Sequence, residues 1–293
     1  QKIGLGHEVA GEVVKIGAKV TKFKVGDKVL IEPGVPDDTC EYCRTGRYNI
    51  CPGVDFMATQ PNYKGALTQY MTHPEEWTYH IPEGMTTMEG ALVEPAAVGM
   101  HAAVLGGAQP GKSIVILGGG TIGLMVLQAC ISLGATDITV VDVIEKRLEL
   151  AKKLGAARVI NGKEEDTVAV LRSEEMYGDH GVDLVFEAAG AVFTAQQAVQ
   201  IVSRGGKIMM VGTQSKPVPI DFLKINREVT IQTSFRYCNN FPQTIEAISS
   251  GRFNVKDMVT NIYDYEDVQK AFEEAIDPVK KTEMVKGVIK VAE

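Results

Sequence analysis

Aromatic residues are scarce, 6% of a 293-residue chain, while glycine is plentiful at 30, above the usual ~7% of a globular protein. That balance argues against a core built on large rings. It points to tight strand-to-helix turns and small-residue packing, as in an α/β protein. A basic run is also lacking: 30 Lys and Arg stand against 37 Asp and Glu, a net charge of −7. Neither nucleic acid nor an anionic membrane surface is therefore an expected partner, which leaves a small molecule. The opening has no charged stretch followed by an apolar one; it starts at Gln1 and soon reaches Gly6-His7-Glu8-Val9-Ala10-Gly11. Nothing there reads as a secretion leader. The start reads as a cut from a longer protein, and the expected location is cytoplasmic.

Proline is absent between Gly111 and Lys216, although eight of the twelve prolines lie between Pro33 and Pro110. A proline-free stretch suits alternating strands and helices, whose interiors reject proline. At roughly 150 residues per domain the length suggests two domains, and an apolar fraction of 45% with 23% charged residues excludes disorder. The first, up to about residue 93, shows short β-type runs such as Glu12 to Val14 and Lys28 to Ile31 between Gly-Asp, Pro-Gly and Pro-Glu-Gly turns, an all-β or barrel-like segment.

From Ser113 the pattern alternates. Apolar runs at Ile114 to Leu117, Ile138 to Asp142, Arg158 to Ile160, Leu184 to Phe186, Ile208 to Val211 and Val229 to Thr233 read as strands. Thr121 to Leu133 and Glu145 to Leu154 read as helices, and such alternation builds a parallel sheet covered on both faces. A helix at Tyr265 to Ile276 and a strand at Met284 to Val291 close the chain. The apolar stretch Ser113 to Ile131 approaches membrane-span length, but Gly118, Gly119, Gly120 and Gly123 break it, so a strand, a turn and a buried helix are expected.

Gly118-Gly119-Gly120-Thr121-Ile122-Gly123 fits the G-x-G-x-x-G pattern, weak by itself. Here a strand precedes it, a helix follows, and Asp142 ends the next strand 19 residues after Gly123, near the ~20 expected of a dinucleotide site. In that role Gly118 makes the tight turn, Gly120 lets backbone N–H groups approach a pyrophosphate, and Gly123 permits close helix–strand packing. Asp142 would take both adenosine ribose hydroxyls and repel a 2′-phosphate, favouring NAD over NADP. A glycine turn without a ligand is the alternative.

Cys40, Cys43 and Cys51 place three of the five cysteines within twelve residues. In a cytosolic protein this reads as zinc rather than disulfide. A structural site needs four ligands, and Asp37, three residues before Cys40, is the candidate fourth. Cys130 is spaced as a core residue and Cys238 has no cysteine near it in sequence. His7 beside Glu8 is by itself more often a structural pair than a ligand pair. Neighbours on a strand face opposite ways, so both ligate only if the chain turns there. Glu94, in Leu92-Val93-Glu94-Pro95, is either a site carboxylate or a helix-start acid favoured by the dipole. His73, His80, His101 and His180 read as local hydrogen-bonders or turn residues.

Together these residues resemble the zinc-dependent medium-chain dehydrogenase/reductase family, in its sorbitol (L-iditol) and xylitol dehydrogenase branch. The resemblance spans the chain. It rests on Gly6-His7-Glu8, Val25-Gly26-Asp27-Lys28-Val29, Ile31-Glu32-Pro33-Gly34, Gly46-Arg47-Tyr48-Asn49, Leu92-Val93-Glu94-Pro95, the glycine loop and Phe235-Arg236-Tyr237-Cys238-Asn239. The last segment is the one that resembles the polyol-oxidising branch.

The resemblance implies a Rossmann doubly wound parallel sheet at 96–256 and a GroES-like β-barrel catalytic domain at 1–95 and 257–293, incomplete at its N-terminus. It implies catalytic zinc on His7 and Glu8, with Glu94 beside the zinc-bound water or substrate, and a ligand cysteine in a preceding stretch that this sequence does not include. It adds Ile122, Arg147, Val211, Gly212, Thr213, Ser234, Phe235 and Arg236 to the NAD contacts, and turns Arg236 and Tyr237 toward a polyol. It also implies a homotetramer. In the family pattern a cysteine stands where Asp37 does, which sets the occupancy of the second zinc site apart from the norm. The implied activity is NAD-dependent oxidation of a polyol to a ketose. An L-threonine or vicinal-diol (butanediol) dehydrogenase and an NAD-binding structural protein without catalysis are the competing readings.

Overall fold

The computed structural model describes residues 3–60 and 64–292. At its centre lies a six-stranded, all-parallel sheet made of β6 (Ser113–Leu117), β7 (Asp137–Asp142), β8 (Arg158–Asn161), β9 (Val182–Glu187), β10 (Val202–Met210) and β11 (Thr230–Thr233), in the spatial order β11-β10-β9-β6-β7-β8. Ile114, Val115, Ile116 and Leu117 are each 0% exposed. Successive side chains of a strand face opposite sides, so a continuous apolar run is what a central strand with both faces covered requires. Ile114 and Ile116 enter one core cluster and Val115 and Leu117 the other. This is the doubly wound Rossmann arrangement expected from the sequence.

Helices supply the cover. Among those of the sheet, α4 (Thr121–Ser132) is buried along Gly123–Cys130 because α3 (Val93–Gly106) packs on its outer side. Gly99 makes that approach possible, lying against the Met125 backbone. The stretch that resembled a membrane span is thus β6, a glycine turn and α4; among the described residues no helix is long and apolar enough to cross a membrane. By contrast α5 (Glu145–Lys153) buries only Leu148 and Ala151 and shows its charges to water. α6 (Thr167–Leu171), α7 (Val192–Ile201) and α8 (Phe241–Ser249) complete the layers.

The first part of the chain is β-structured in small pieces. β1 (Ala10–Glu12), β2 (Lys28–Ile31) and β5 (Thr78–His80) form one antiparallel sheet, and β3 (Gly34–Val35) pairs with β4 (Asp55–Phe56). The first strand lies two residues earlier than the Glu12 to Val14 run suggested: Val13 still exchanges backbone bonds with the Gly26-Asp27 turn, and Val14 is exposed. α1 (Glu41–Arg44) sits among the cysteines, and α2 (Thr87–Ala91) is started by a capping box between Thr86 and Glu89. At the end, a 3-10 turn precedes α9 (Val268–Ile276), shortening the expected helix, and β12 (Val259–Asp264) pairs in parallel with β13 (Lys286–Lys290).

The topology fixes where a ligand fits. The chain runs outward from β6 to β7 and β8, then returns to the other side of β6 as β9. The loops after β6 and β9 therefore diverge, leaving a crevice at the carboxyl ends of the strands.

Candidate active site

The loop after β6 opens this crevice. A Cβ on Gly123 would collide with the Gly118 carbonyl oxygen, so only glycine lets α4 start so close to the strand. Over Gly120 the nearest atom to an added Cβ is Arg147 Nη1 at 4.0 Å, which leaves that backbone open to a ligand. Asp142 is buried at the end of β7. Its Oδ2 accepts the Gly119 N–H at 2.7 Å, and Oδ1 accepts the N–H groups of Val143 and Ile144 at 2.8 and 2.9 Å. Arg147 Nη1 stands 3.7 Å away. The carboxylate therefore anchors the glycine loop, and three of its about four acceptor sites are in use.

On the other side of the crevice, Val211 and Gly212 each donate a backbone N–H to the Glu187 carbonyl at 2.8 Å. Glu187, 0% exposed, takes the N–H groups of Ala189 and Gly190, the Thr194 hydroxyl and the Gln214 amide on its carboxylate. It ties the loops after β9 and β10 together. Ser234 continues from β11, its N–H on the Met210 carbonyl.

Buried polar side-chain atoms without a partner gather in this region. They include Arg147 Nε, Gln214 Oε1, Ser234 Oγ and Arg236 Nη1. Natural proteins satisfy such groups. An elongated polar ligand running along the crevice accounts for this orphaned set, and a dinucleotide with its substrate has that character.

A metal-type cluster forms around the start of α3. Residues 3–9 up to the start of β1 carry no strand, and Gly6 has φ +82°. The chain turns there, and ligand atoms of His7, Glu8 and Glu94 lie within 4.8 Å of one another. Glu94 arrives from the first turn of α3, with Oε1 3.9 Å from His7 Nε2. Burial, followed by the charge of Glu8, pushes the Glu94 carboxyl up to about 8. Burial holds His7 below its ordinary range, so its imidazole is neutral, the form that ligates. One imidazole and two crowded carboxylates suit zinc chemically, and a cation would relieve their repulsion.

Arg236 and Tyr237 reach the same place. The Arg236 guanidinium lies 3.8 Å over the Phe56 ring and 4.7 Å over Phe235, and the His7 and Phe56 rings pack edge to face at 5.3 Å. Tyr237 is buried, and burial, the Glu94 charge and a hydrogen bond to Glu94 drive its hydroxyl well above the ordinary range.

Some site residues carried no sequence signal. Lys286 on β13 pairs its ammonium with Glu8, a contact that depends on the chain's end returning to its beginning. The residue before it, Val285, accepts the Thr121 hydroxyl at the start of α4, which ties the glycine loop to the metal-type cluster. Glu32, 0% exposed, lies against Tyr48 and Tyr79. Its place in Ile31-Glu32-Pro33-Gly34, one of the segments that carry the resemblance, marked the residue but not this role.

Asp37, Cys40, Cys43 and Cys51 form a second group whose ligand atoms lie within 4.8 Å of one another. Hydrogen bonds from the Cys40 and Thr39 N–H groups hold Asp37 down at about 2. It is thus a carboxylate, and the set of three thiols and one carboxylate is one that zinc accepts. Cys130 is core, as its spacing suggested, and Cys238 gives its thiol proton to the Gly46 carbonyl at 3.0 Å. His73, His80 and His101 meet the Glu32 carbonyl, the Lys22 carbonyl and Asn240 Oδ1 respectively.

Comparison with known proteins gives two family matches. Residues 1–83 match the alcohol dehydrogenase GroES-like domain, and residues 121–250 match the zinc-binding dehydrogenase domain. The sorbitol dehydrogenase of Bacillus subtilis (strain 168) is 42% identical over 275 residues, covering 93% of this chain and 77% of its own. An Escherichia coli oxidoreductase/dehydrogenase of unknown specificity superposes with a TM-score of 0.97 at 63% identity, covering 100% of this chain and 83% of its own. A zinc-binding dehydrogenase of Sinorhizobium meliloti 1021, solved with NADP, gives 0.90 at 26% identity, covering 98% and 84%. The expected cofactors, zinc and a nicotinamide dinucleotide, agree with these relatives. With a GroES-like part, a Rossmann sheet and a relative of this identity, the chain belongs to the zinc-dependent medium-chain dehydrogenase/reductase family, in its sorbitol dehydrogenase branch.

Proposed function

We propose that the protein oxidises a secondary hydroxyl of a sorbitol- or xylitol-type polyol to a ketone, with NAD as the hydride acceptor. The observation that carries this reading is the pair Arg236 and Tyr237, which brings a buried, unpartnered guanidinium nitrogen and a buried hydroxyl bonded to Glu94 to the His7, Glu8 and Glu94 cluster. A simple alcohol has nothing to offer them. A polyol presents further hydroxyls beside the reacting carbon, and charge-assisted hydrogen bonds to them are strong.

His7, Glu8 and Glu94 are the residues that would hold zinc, whose chemistry as a Lewis acid is to lower the pKa of a bound hydroxyl. Lys286 keeps one Glu8 oxygen engaged and so orients that carboxylate. Glu94, beside His7, is placed in its ionised form to take the alcohol's proton. Arg236 orients the neighbouring hydroxyls, and Phe56 beneath its guanidinium keeps water from that face. Gly120 and the start of α4 receive the pyrophosphate, while Val211, Gly212 and Thr213 flank the nicotinamide. We place the Asp37, Cys40, Cys43 and Cys51 group as the holder of a structural zinc.

A substrate panel on the full-length protein tests the reading. NADH formation with sorbitol, xylitol or a related polyol is the expected result. Activity with L-threonine or butanediol but no polyol would overturn it, and a protein with no catalytic metal and no turnover would mark a non-catalytic NAD-binding role.

A further inference from the structure

The segment Phe235–Asn239 carries both polyol-facing side chains yet has no regular structure of its own. Two of its residues, Arg236 (φ +53°) and Asn239 (φ +57°), lie in the left-handed region. Asparagine visits that region readily and arginine does not, so Arg236 stays there only because its surroundings hold it.

What holds it comes from the stretch between the second and third thiols of the cysteine group. Asn49 Nδ2 donates to the Phe235 carbonyl at 2.9 Å, immediately before Arg236. After it, the Cys238 thiol and Asn239 Nδ2 both donate to the Gly46 carbonyl, at 3.0 and 2.9 Å, and the Asn239 N–H donates to the Tyr48 hydroxyl at 2.8 Å. The strained residue is therefore gripped on both sides. Having accepted from Asn239, Tyr48 gives its own proton to Glu32 Oε1 at 2.7 Å, and Tyr79 gives its proton to Oε2 at 3.0 Å. Glu32 has no other route to water, being 0% exposed. When ionised it fixes the direction of the whole chain of bonds, since a carboxylate can only accept.

We propose that Asn49, Tyr48 and Glu32 form a clamp that sets substrate preference, holding Arg236 in its left-handed conformation so that its guanidinium lies over Phe56 at the polyol's end of the site. These are positioning residues: none touches the reacting atoms, and each acts through Arg236. The proposal rests on the reading that Arg236 and Tyr237 receive polyol hydroxyls. It goes further in making the affinity for those hydroxyls depend on the lobe between Cys43 and Cys51.

The test uses full-length protein, with Asn49→Ala as the main variant because Asn49 lies outside the core. Glu32→Gln, which keeps the shape and one acceptor, is the second. Hydrogen exchange of the amides at 235–239, measured without substrate, should quicken about tenfold in Asn49→Ala and less in Glu32→Gln. With sorbitol, KM should rise about tenfold in Asn49→Ala while kcat, the NAD dissociation constant and the KM for propan-2-ol stay within about twofold. Unchanged exchange at 235–239, or equal losses with sorbitol and propan-2-ol, would overturn the clamp. A wild-type protein that oxidises no polyol defeats the polyol reading instead; exchange alone then decides the clamp, faster exchange in Asn49→Ala upholding it and unchanged exchange ending it.

Discussion

The two ends of the crevice are assembled in different ways. At the dinucleotide end, one strand, one turn and one helix, consecutive in the chain, supply the glycine loop, and Asp142 from the next strand anchors it through the Gly119 N–H while its other oxygen takes the N–H groups of Val143 and Ile144. At the substrate end, His7 and Glu8, Phe56, Glu94, Arg236 and Lys286 come from five separate stretches of chain, brought together by packing. The first end is a local structure that a ligand completes. The second is a meeting point, held by contacts such as Lys286 with Glu8 and Asn49 with Phe235 that span 278 and 186 residues. Damage to the first should therefore stay with the cofactor, whereas damage to the second should spread among chemistry, substrate affinity and stability.

His7→Ala breaks the comparison most sharply. Removing the neutral imidazole should lower kcat/KM on the order of 10³-fold. NAD binding, carried by the other end, should stay within a factor of about two. Loss of both in equal measure would show that the ends are one cooperative unit. Unchanged turnover would remove His7 from the metal site.

Glu32→Gln tests how far the substrate end bears on stability. Burial pushes the Glu32 carboxyl up to about 7, against the lowering effect of its bonds from Tyr48 and Tyr79. The folded protein thus holds that proton to higher pH than the unfolded chain. The resulting contribution to stability is complete below the ordinary carboxylate range and is lost as pH rises through about 7. Its size is at most about 3 kcal/mol. The glutamine variant carries no charge to bury, so its Tm relative to wild type should climb between about pH 5 and pH 8. A difference that stays flat across that window, in thermal melts, contradicts a buried, titrating Glu32.

Gly123→Ala acts on the other end. Its methyl group would meet the Gly118 carbonyl and move the start of α4. A strain on the order of 2 kcal/mol should appear as roughly 30-fold weaker NAD binding by fluorescence titration. Metal content measured on the same sample should not change, since neither ligand group includes this loop.

How much of this was legible in the sequence follows the same line. The six strands and the glycine loop could be read because a sheet buried on both faces demands uninterrupted apolar runs, as at Ile114 to Leu117, and because a phosphate turn demands glycine at fixed spacing. Asp37 with its three cysteines could be read for the same reason, as all four lie within fifteen residues. The role of Lys286 could not, because a lysine in a terminal strand has no periodicity or spacing that points at Glu8. Nor could that of Glu32, whose partners Tyr48 and Tyr79 lie 16 and 47 residues away. The question of whether His7 and Glu8 face the same site turned on Gly6 and its positive φ, a backbone detail that alternation alone would have misjudged.

Asp142→Ala should have the smallest effect and separates two roles that the structure combines in one carboxylate. In the sequence reading Asp142 accepts both ribose hydroxyls. In the fold, three backbone N–H groups already occupy it, leaving room for about one more bond. On the proposed NAD reading, discrimination against NADP would come less from a bidentate grip on the ribose than from a negative charge near the 2′ position, offset in part by Arg147 at 3.7 Å. Removing the charge should shift the ratio of NAD to NADP affinity about tenfold toward NADP, which corresponds to ~1.4 kcal/mol. Loosening the Gly119 anchor should weaken both cofactors by a similar factor on top of that shift. Paired titrations with NAD and NADP distinguish the contributions: a common loss with an unchanged ratio leaves Asp142 as a loop anchor alone, and a changed ratio with little common loss leaves it as a ribose selector alone.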